Sequence, residues 1–416
     1  MSQADVRPPY AGPQANPWAA PPSGPPQLPG NHGTGRARRR PGWPGVVVAS
    51  LLAAALASGA TLAGAQALDD DPAAAPSASP TADAPVPLPA DGASPDWTAV
   101  AAAVAPSVVT IGVAGPAGSG QGSGVVLDTE GNILTNNHVV AGAGQGATIG
   151  VVLSDGRVFS DVEVVGTDAT TDLAVVKITD PPSDLTPATL GDSSEVVVGQ
   201  EVMALGNPLG LSGTVTTGIV SAVDRPVTTQ EEQPTPQNPF GGQGGAQGQA
   251  EPVVTNAIQT DAAINPGNSG GALVDATGAL IGINSSIAST SAQSGNIGIG
   301  FAIPVNEAKR ISDELLADGT ADHALLGVSL SDGGGTADGS TRQGAEVAEV
   351  SPGSAAEQGG LQVGDTVVAI DGDEVTGAES LTAHVRERAP GTEVTLSVVR
   401  DGQSLDVPVV LGTRED

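Results

Sequence analysis

Residues 265–271 read Asn-Pro-Gly-Asn-Ser-Gly-Gly, a serine set among glycines in an order that suits a tight, exposed turn. A serine hydroxyl is a weak nucleophile near neutral pH. It needs an adjacent base to take its proton and backbone N–H groups aimed at the oxyanion that forms when it attacks a carbonyl. Gly267 and Gly270 permit a backbone that points amides inward. On this reading Ser269 attacks, and the amides of Gly267 and Ser269, with Asn268 as a further candidate, form the oxyanion hole. The same heptad also reads as a plain Gly/Asn/Ser loop in a chain with 58 glycines, so its partners must decide.

A serine nucleophile calls for a histidine, and the chain has four: His32, His138, His323 and His384. His32 lies in a Pro/Gly-rich arm, His323 in an interdomain connection, and His384 in a polar helical segment of a second unit. His138 remains, in Leu134-Thr135-Asn136-Asn137-His138-Val139-Val140, where a buried strand gives way to a turn. The alternative for it is a structural histidine. The third member is a carboxylate that accepts from the imidazole N–H, fixing the tautomer and stabilising the imidazolium. Asp172 opens the apolar run Leu173-Ala174-Val175-Val176, and Asp168 is its competitor four residues earlier. Either carboxylate is also readable as a turn cap. Strand entry favours Asp172, and the chain order His, Asp, Ser is that of the chymotrypsin-like double barrel.

These residues must be positioned by strands. From Ser107 to Pro304 short Val/Ile-rich runs (107–113, 123–127, 149–153, 162–165, 173–178, 201–205, 214–223, 253–259, 271–275, 279–284, 297–303) alternate with Gly, Asn, Asp and Pro, a pattern of barrels or sandwiches. Residues 230–251 interrupt it with a Gln/Gly/Pro-rich insert that reads as a surface loop, for regulation or by mere tolerance. Asn306 to Gly319 has helical spacing at Ile311, Leu315 and Leu316, with Asn306 as N-cap and Gly319 as stop. Beyond it, strand-like runs (326–330, 345–350, 366–370, 393–400, 404–410) and helix-like 354–359 and 378–388 form a second small unit.

The chain has 416 residues, so two or three domains are expected. It has no cysteine, which excludes disulfides and thiolate metal sites. A formal charge of -31, from 15 basic against 46 acidic residues, repels phosphate backbones and argues against a nucleic-acid partner. Aromatics are only 2% while small and β-branched residues dominate, which again favours strands.

The N-terminal 96 residues are organised differently. Residues 1–45 form a Pro-rich arm expected to be disordered, ending in Arg36 and the run Arg38 to Arg40. Residues 46–68 carry no charge and are long enough to span a bilayer as a helix. The basic flank places the arm in the cytoplasm and everything after Asp69 outside, as a single-pass anchor. A signal peptide cleaved near Ala63-Gly64-Ala65 and a soluble Ala-rich helix are the alternatives. Residues 69–96 are an Ala/Pro-rich spacer, and the folded part starts near Trp97.

Taken together, T-N-N-H-V-V, T-D-L-A-V-V, G-N-P-L-G, Q-T-D-A-A-I-N-P-G-N-S-G-G and G-I-G-F-A-I-P resemble the HtrA/Deg family of trypsin-like serine proteases, over roughly Trp97 to Gly412. The resemblance implies a mainly β chymotrypsin-like double barrel over 97–305, a linking helix over 306–322 and a small α+β PDZ domain over 323–412. His138 would be the general base, Asp172 its orienter and Ser269 the nucleophile. It places Ala263, Ile264 and Ile299 around the primary substrate pocket, which then lacks charge and suits small or aliphatic residues. It makes Leu325, Leu326, Gly327 and Val328 a carboxylate-binding loop, able to receive C-terminal peptides that add as a strand. The implied substrates are misfolded or signalling proteins, with no metal or organic cofactor. A homotrimer is implied as well, with Trp97 the aromatic available near the start of the protease domain. A peptide-binding scaffold without turnover and a protease for one dedicated membrane partner are the competing functions.

Overall fold

In a computed structural model, residues 94–116, 118–141, 144, 146–207, 213–229, 253–285, 298–337 and 339–414 are described. The expected arm, membrane helix, most of the spacer and the 230–251 insert lie outside these residues. Among the described residues, no helix is long and apolar enough to cross a membrane.

The described chain opens with helix α1 (Trp97–Val104), capped by the Asp96 side chain accepting from Ala99 N at 3.1 Å. Seven strands follow: β1 (Val108–Gly115), β2 (Gly118–Val126), β3 (Asn132–Asn136), β4 (Thr148–Val152), β5 (Val158–Phe159), β6 (Val162–Asp168) and β7 (Leu173–Ile178). They form one antiparallel sheet in the order β5-β4-β1-β2-β3-β7-β6. Helix α2 (Asn137–Ala141), a single turn, follows β3 directly and carries His138. The sequence reading expected only a turn there.

A closed six-stranded barrel comes next, from β8 (Glu201–Gly206), β9 (Thr214–Thr229), β10 (Val253–Thr260), β11 (Ala272–Val274), β12 (Leu280–Ser285) and β13 (Gly300–Pro304), in the order β10-β13-β12-β11-β8-β9. Most expected runs coincide with these strands to within a few residues. Between the sheet and the barrel lies a shared apolar core, with Val125, Leu134 and Leu173 on one side and Met203, Leu205 and Ile283 on the other. Full burial of each such side chain stabilises by about 1.5–3 kcal/mol. At this joint the turn carrying Ser269 is bonded to β2, Ser123 N donating to Ser269 O at 2.8 Å.

Helix α3 (Val305–Asp318) seals that core with Ile311 and Leu315, both fully buried. Gly319 ends it in the left-handed conformation, φ 79°, as the sequence suggested. The N-cap differs from expectation. Pro304 holds that position, and Asn306 lies one residue inside the helix. Its side chain instead binds Asp192 Oδ1 at 2.7 Å and Ser193 N at 3.3 Å, fastening the helix to the loop before β8.

The C-terminal unit contains a short ladder of β14 (Ala324–Leu325) with β21 (Gly412–Thr413) and a sheet ordered β15 (Val328–Ala337), β16 (Ser340–Val350), β17 (Thr366–Ile370), β19 (Glu393–Arg400), β20 (Gln403–Val410), with β18 (Asp373–Glu374) paired to β17. Helices α4 (Ala355–Gly359) and α5 (Ala378–Glu387) complete it around Val347, Val367, Leu381 and Leu396.

Candidate active site

Asp172 sits at the entry to β7 with φ 58°, in the left-handed region that Asp tolerates better than most residues. That conformation turns its carbonyl toward Asn137 N and Asn136 Nδ2, each at 3.0 Å. Its carboxylate faces the α2 turn, where Oδ1 accepts from His138 N at 3.0 Å. His138 Nδ1 lies 3.0 Å from Oδ1 and 2.9 Å from Oδ2. A proton on Nδ1 is therefore shared with both oxygens, leaving Nε2 as the basic nitrogen. Ser285, from the barrel, donates its hydroxyl to Oδ2 at 3.3 Å. Ser285 was missed by sequence reading, because nothing local marks it.

The two aspartates weighed in the sequence take different roles. Asp168 accepts from Thr170 N at 2.9 Å and from the Thr171 hydroxyl, and its Oδ1 accepts from His323 Nε2 at 3.0 Å. It is a buried turn carboxylate tied to the chain leading into the C-terminal unit, and it does not pair with His138. Burial pushes its pKa up, but the His323 hydrogen bond and charge, with the Thr171 and Thr170 bonds, outweigh this and hold it below the ordinary carboxylate value. His384 is likewise structural: Asn256 Nδ2 on β10 donates to its Nδ1 at 3.0 Å and to Glu387 Oε2 at 3.1 Å.

Ser269 lies in a buried turn of the barrel, 2% exposed. Residues 265–268 close a turn through Asn268 N to Asn265 O at 2.9 Å, with Pro266 second and Gly267, φ 104°, third. Proline second and a positive φ third define a type II turn, and the third position needs glycine. Asn268 thereby commits its N–H to the turn, so the expectation that it adds an oxyanion donor does not fit this conformation. Its Nδ2 donates to Ala263 O at 3.3 Å. Gly270, φ 81°, follows Ser269, and its N–H donates to Asn284 O at 2.9 Å. The turn lies against the histidine segment: a side chain on Gly122 would meet Val139 Cγ2 at 2.6 Å and Ser269 O at 3.2 Å.

The candidate pocket segments are adjacent. A Cβ on Gly300 would stand 2.6 Å from Ile264 Cγ1 and 2.9 Å from Ala262 O. Ile264 is buried, Ala263 half-buried and Ile299 exposed. In the C-terminal unit Leu325 is exposed, Leu326 is buried in the core and Gly327 has φ 78°. Val328 then opens β15, which is an edge strand of its sheet.

Residues 122–283 match the model of the trypsin-like peptidase domain, and residues 324–411 match that of the PDZ domain. The chain is 46% identical over 328 residues to serine protease PepD of Mycobacterium tuberculosis, covering 76% of this chain and 66% of that protein. It is 37% identical to the periplasmic pH-dependent serine endoprotease DegQ of Escherichia coli, over 71% of this chain and 60% of DegQ. The chain thus spans 66% and 60% of these two relatives' length. Among solved structures, the HtrA-type protease AlgW with tripeptide superimposes with a TM-score of 0.55 and 36% identity, over 77% of this chain and 98% of that one. Two matched domains in the same order and identities of this size over most of the described residues leave one conclusion: the chain belongs to the HtrA family of serine proteases, with a trypsin-like peptidase domain followed by a PDZ domain.

Proposed function

We propose that this chain is a membrane-anchored, extracytoplasmic serine endopeptidase that cleaves misfolded or signalling proteins and is regulated by peptides bound to its PDZ domain. The observation that carries the catalytic part is the His138 Nδ1 contact with both Asp172 oxygens, beside a positive-φ glycine turn that brings Ser269 in from the other half of the domain. Ser269 Oγ bonds the scissile carbonyl carbon and its proton passes to His138 Nε2. The negative oxygen faces the amides of Gly267 and Ser269. Collapse breaks the C–N bond, and the leaving amine takes the proton from His138. Water then attacks the ester by the same route, releasing the acid and restoring Ser269.

The apolar surroundings of Ala263, Ile264 and Ile299 support cleavage after small or aliphatic residues. The exposed edge of β15 beside Leu325, Leu326 and Gly327 supports docking of a C-terminal peptide as an added strand. Anchoring rests on the uncharged stretch 46–68 and its basic flank, and the periplasmic naming of DegQ agrees with an extracytoplasmic site of action. A homotrimer is part of the proposal through the family.

The test is hydrolysis of casein and of a peptide library by a soluble fragment starting at Trp97, with and without a C-terminal peptide. Ser269→Ala is expected to lower kcat on the order of a millionfold. Equal turnover by the variant overturns the enzyme reading in favour of a peptide-binding scaffold.

A further inference from the structure

The strand edge proposed above to receive a peptide leads into a cavity that the protease domain helps to build. β15 pairs with β16 on one side only, so among the described residues its other edge has no strand partner. Val328 and Leu330 are half-buried against the core of their unit, and Asp332 continues the same face. Asp332 Oδ1 accepts from Ala378 N at 2.9 Å, so this face ends at the first turn of α5. There Asp332, residues 376–380 and Pro226 line a cavity of about 400 Å³. Pro226 belongs to β9 of the protease domain. A second contact joins the same strand to α5, the Thr228 hydroxyl donating to Glu379 Oε1 at 3.3 Å.

Strand geometry fixes which peptide residue reaches this cavity. A peptide whose C-terminal carboxylate sits on the amides of Leu326, Gly327 and Val328 ends at the start of β15. It must then run antiparallel to that strand, with residues of the two strands directly opposite each other. With the C-terminal residue opposite Val328, the second residue upstream lies opposite Leu330 and the fourth upstream opposite Asp332. Opposite residues share a face of the sheet, so these three side chains turn toward α5 and the ones between them turn away. The fourth residue upstream therefore enters the cavity. Its lining carries two carboxylates, Asp332 and Glu379, and no basic side chain. Glu346 stands close by, since a Cβ on Gly333 would lie 3.0 Å from its Oε2. Arg342 pairs with Gly335, farther along the strand.

We propose that this cavity is a subsite for the fourth residue upstream of the peptide's C-terminus, that it takes lysine or arginine, and that β9 of the protease domain forms one of its walls. The proposal rests on the peptide-docking reading above and names the ligand chemistry which that reading left open. An ionised carboxylate has about four acceptor sites, so Asp332 and Glu379 can each receive a cation beside the bond they already accept. The stem of a long basic side chain packs on Pro226 and the Ala378 methyl while its head stays at the carboxylates. Both carboxylates are exposed, so the gain is modest and is screened by salt. It is enough to rank peptides that end alike. A tripeptide stops opposite Leu330 and touches the PDZ unit alone, whereas a longer peptide also meets the protease strand.

The test is fluorescence anisotropy of labelled peptides on the full chain carrying Ser269→Ala, which prevents their cleavage. The peptides share their last three residues and carry Lys, Ala or Glu at the fourth position upstream of the C-terminal one, with the bare tripeptide and C-terminally amidated forms as controls. Lys should bind about 3–10-fold more tightly than Ala, and Glu more weakly than Ala by a similar factor, both differences shrinking at high salt. Asp332→Asn combined with Glu379→Gln keeps acceptors for Ala378 N and the Thr228 hydroxyl while removing both charges. This pair should erase the ranking and leave tripeptide affinity unchanged. Pro226→Lys, on the protease strand, should reverse the ranking in favour of Glu, again with the tripeptide unchanged. Equal affinity for Lys, Ala and Glu beside clear tripeptide binding overturns the proposal and leaves the docking reading standing. So does a ranking that survives the Asp332 and Glu379 substitutions, or one that Pro226→Lys does not move. If the double variant does not fold, the salt dependence and Pro226→Lys decide. Equal binding of free and amidated peptides overturns the docking reading, and the proposal with it.

Discussion

At the scale of single residues, the site is a set of hydrogen bonds that fix one imidazole and one turn. Asp172 does this from a left-handed backbone that Asn also tolerates. Asp172→Asn is therefore expected to fold, while its amide can present an N–H to Nδ1 and stabilise the wrong tautomer. A loss of about 10,000-fold in kcat, with a thermal midpoint close to that of the unmodified protein, is the expected outcome of steady-state kinetics beside calorimetry. Activity within tenfold would place the orienting carboxylate elsewhere. The proposed triad was legible because a candidate nucleophile on a glycine turn restricts its partners by chemistry. The roles of Ser123, whose hydroxyl donates to Gly267 O at 2.7 Å, and of Ser285 were not. Each is a serine in a strand, and its value comes from what another part of the chain places opposite it.

At the scale of elements, strands and helices followed their local patterns closely. β7 covers 173–178 as the apolar run indicated, and Gly319 stops α3 because it takes a left-handed conformation without strain. Helix α3 also buries a polar group that its pattern did not announce. Glu307 is 3% exposed and its Oε2 has no hydrogen-bond partner among the described residues. Burial, then the charge of Glu387, push its pKa up to about 8, against the pull of Arg310. The folded state thus holds a proton that the unfolded state releases near pH 4.5. Stability conferred by this group is neutral below that pH and falls as pH rises toward 8. Glu307→Gln removes the dependence. Unfolding free energies of the two proteins, read by denaturant titration, should coincide near pH 4 and separate above pH 7 in favour of Gln, on the order of a few kcal/mol. A variant less stable than the unmodified protein at pH 9 would contradict this.

At the scale of the whole molecule, two of the four histidines fasten the protease domain to the PDZ unit and the segment leading into it. His323 reaches Asp168, and His384 receives Asn256, so both reach residues distant in sequence. Asp168 has a lowered pKa, so its contribution is complete above the ordinary carboxylate value and is lost as pH falls through the folded one. Asp168→Asn should lower the thermal midpoint at pH 7 by several degrees, about 1–3 kcal/mol for a broken buried pair, and make the fall in stability below about pH 4 shallower. Its kcat should stay within about tenfold, unlike Asp172→Asn. A loss as large as that of Asp172→Asn would mean that the two carboxylates act as one unit.

By itself the sequence determined the glycine turn around Ser269, the strand pattern and the order of the domains, and it singled out His138 as the candidate base. These depend on glycine conformation, side-chain chemistry and local hydrophobic period, all readable within a few residues. Only the tertiary structure decided that Asp172 faces His138 while Asp168 turns to His323, that Asn306 lies inside its helix, and that the Ser123 hydroxyl binds Gly267 O. Those outcomes rest on bonds between residues 34, 113 and 144 positions apart. A hydrogen bond across such a separation leaves no local mark, because either partner looks ordinary until the fold sets the other against it.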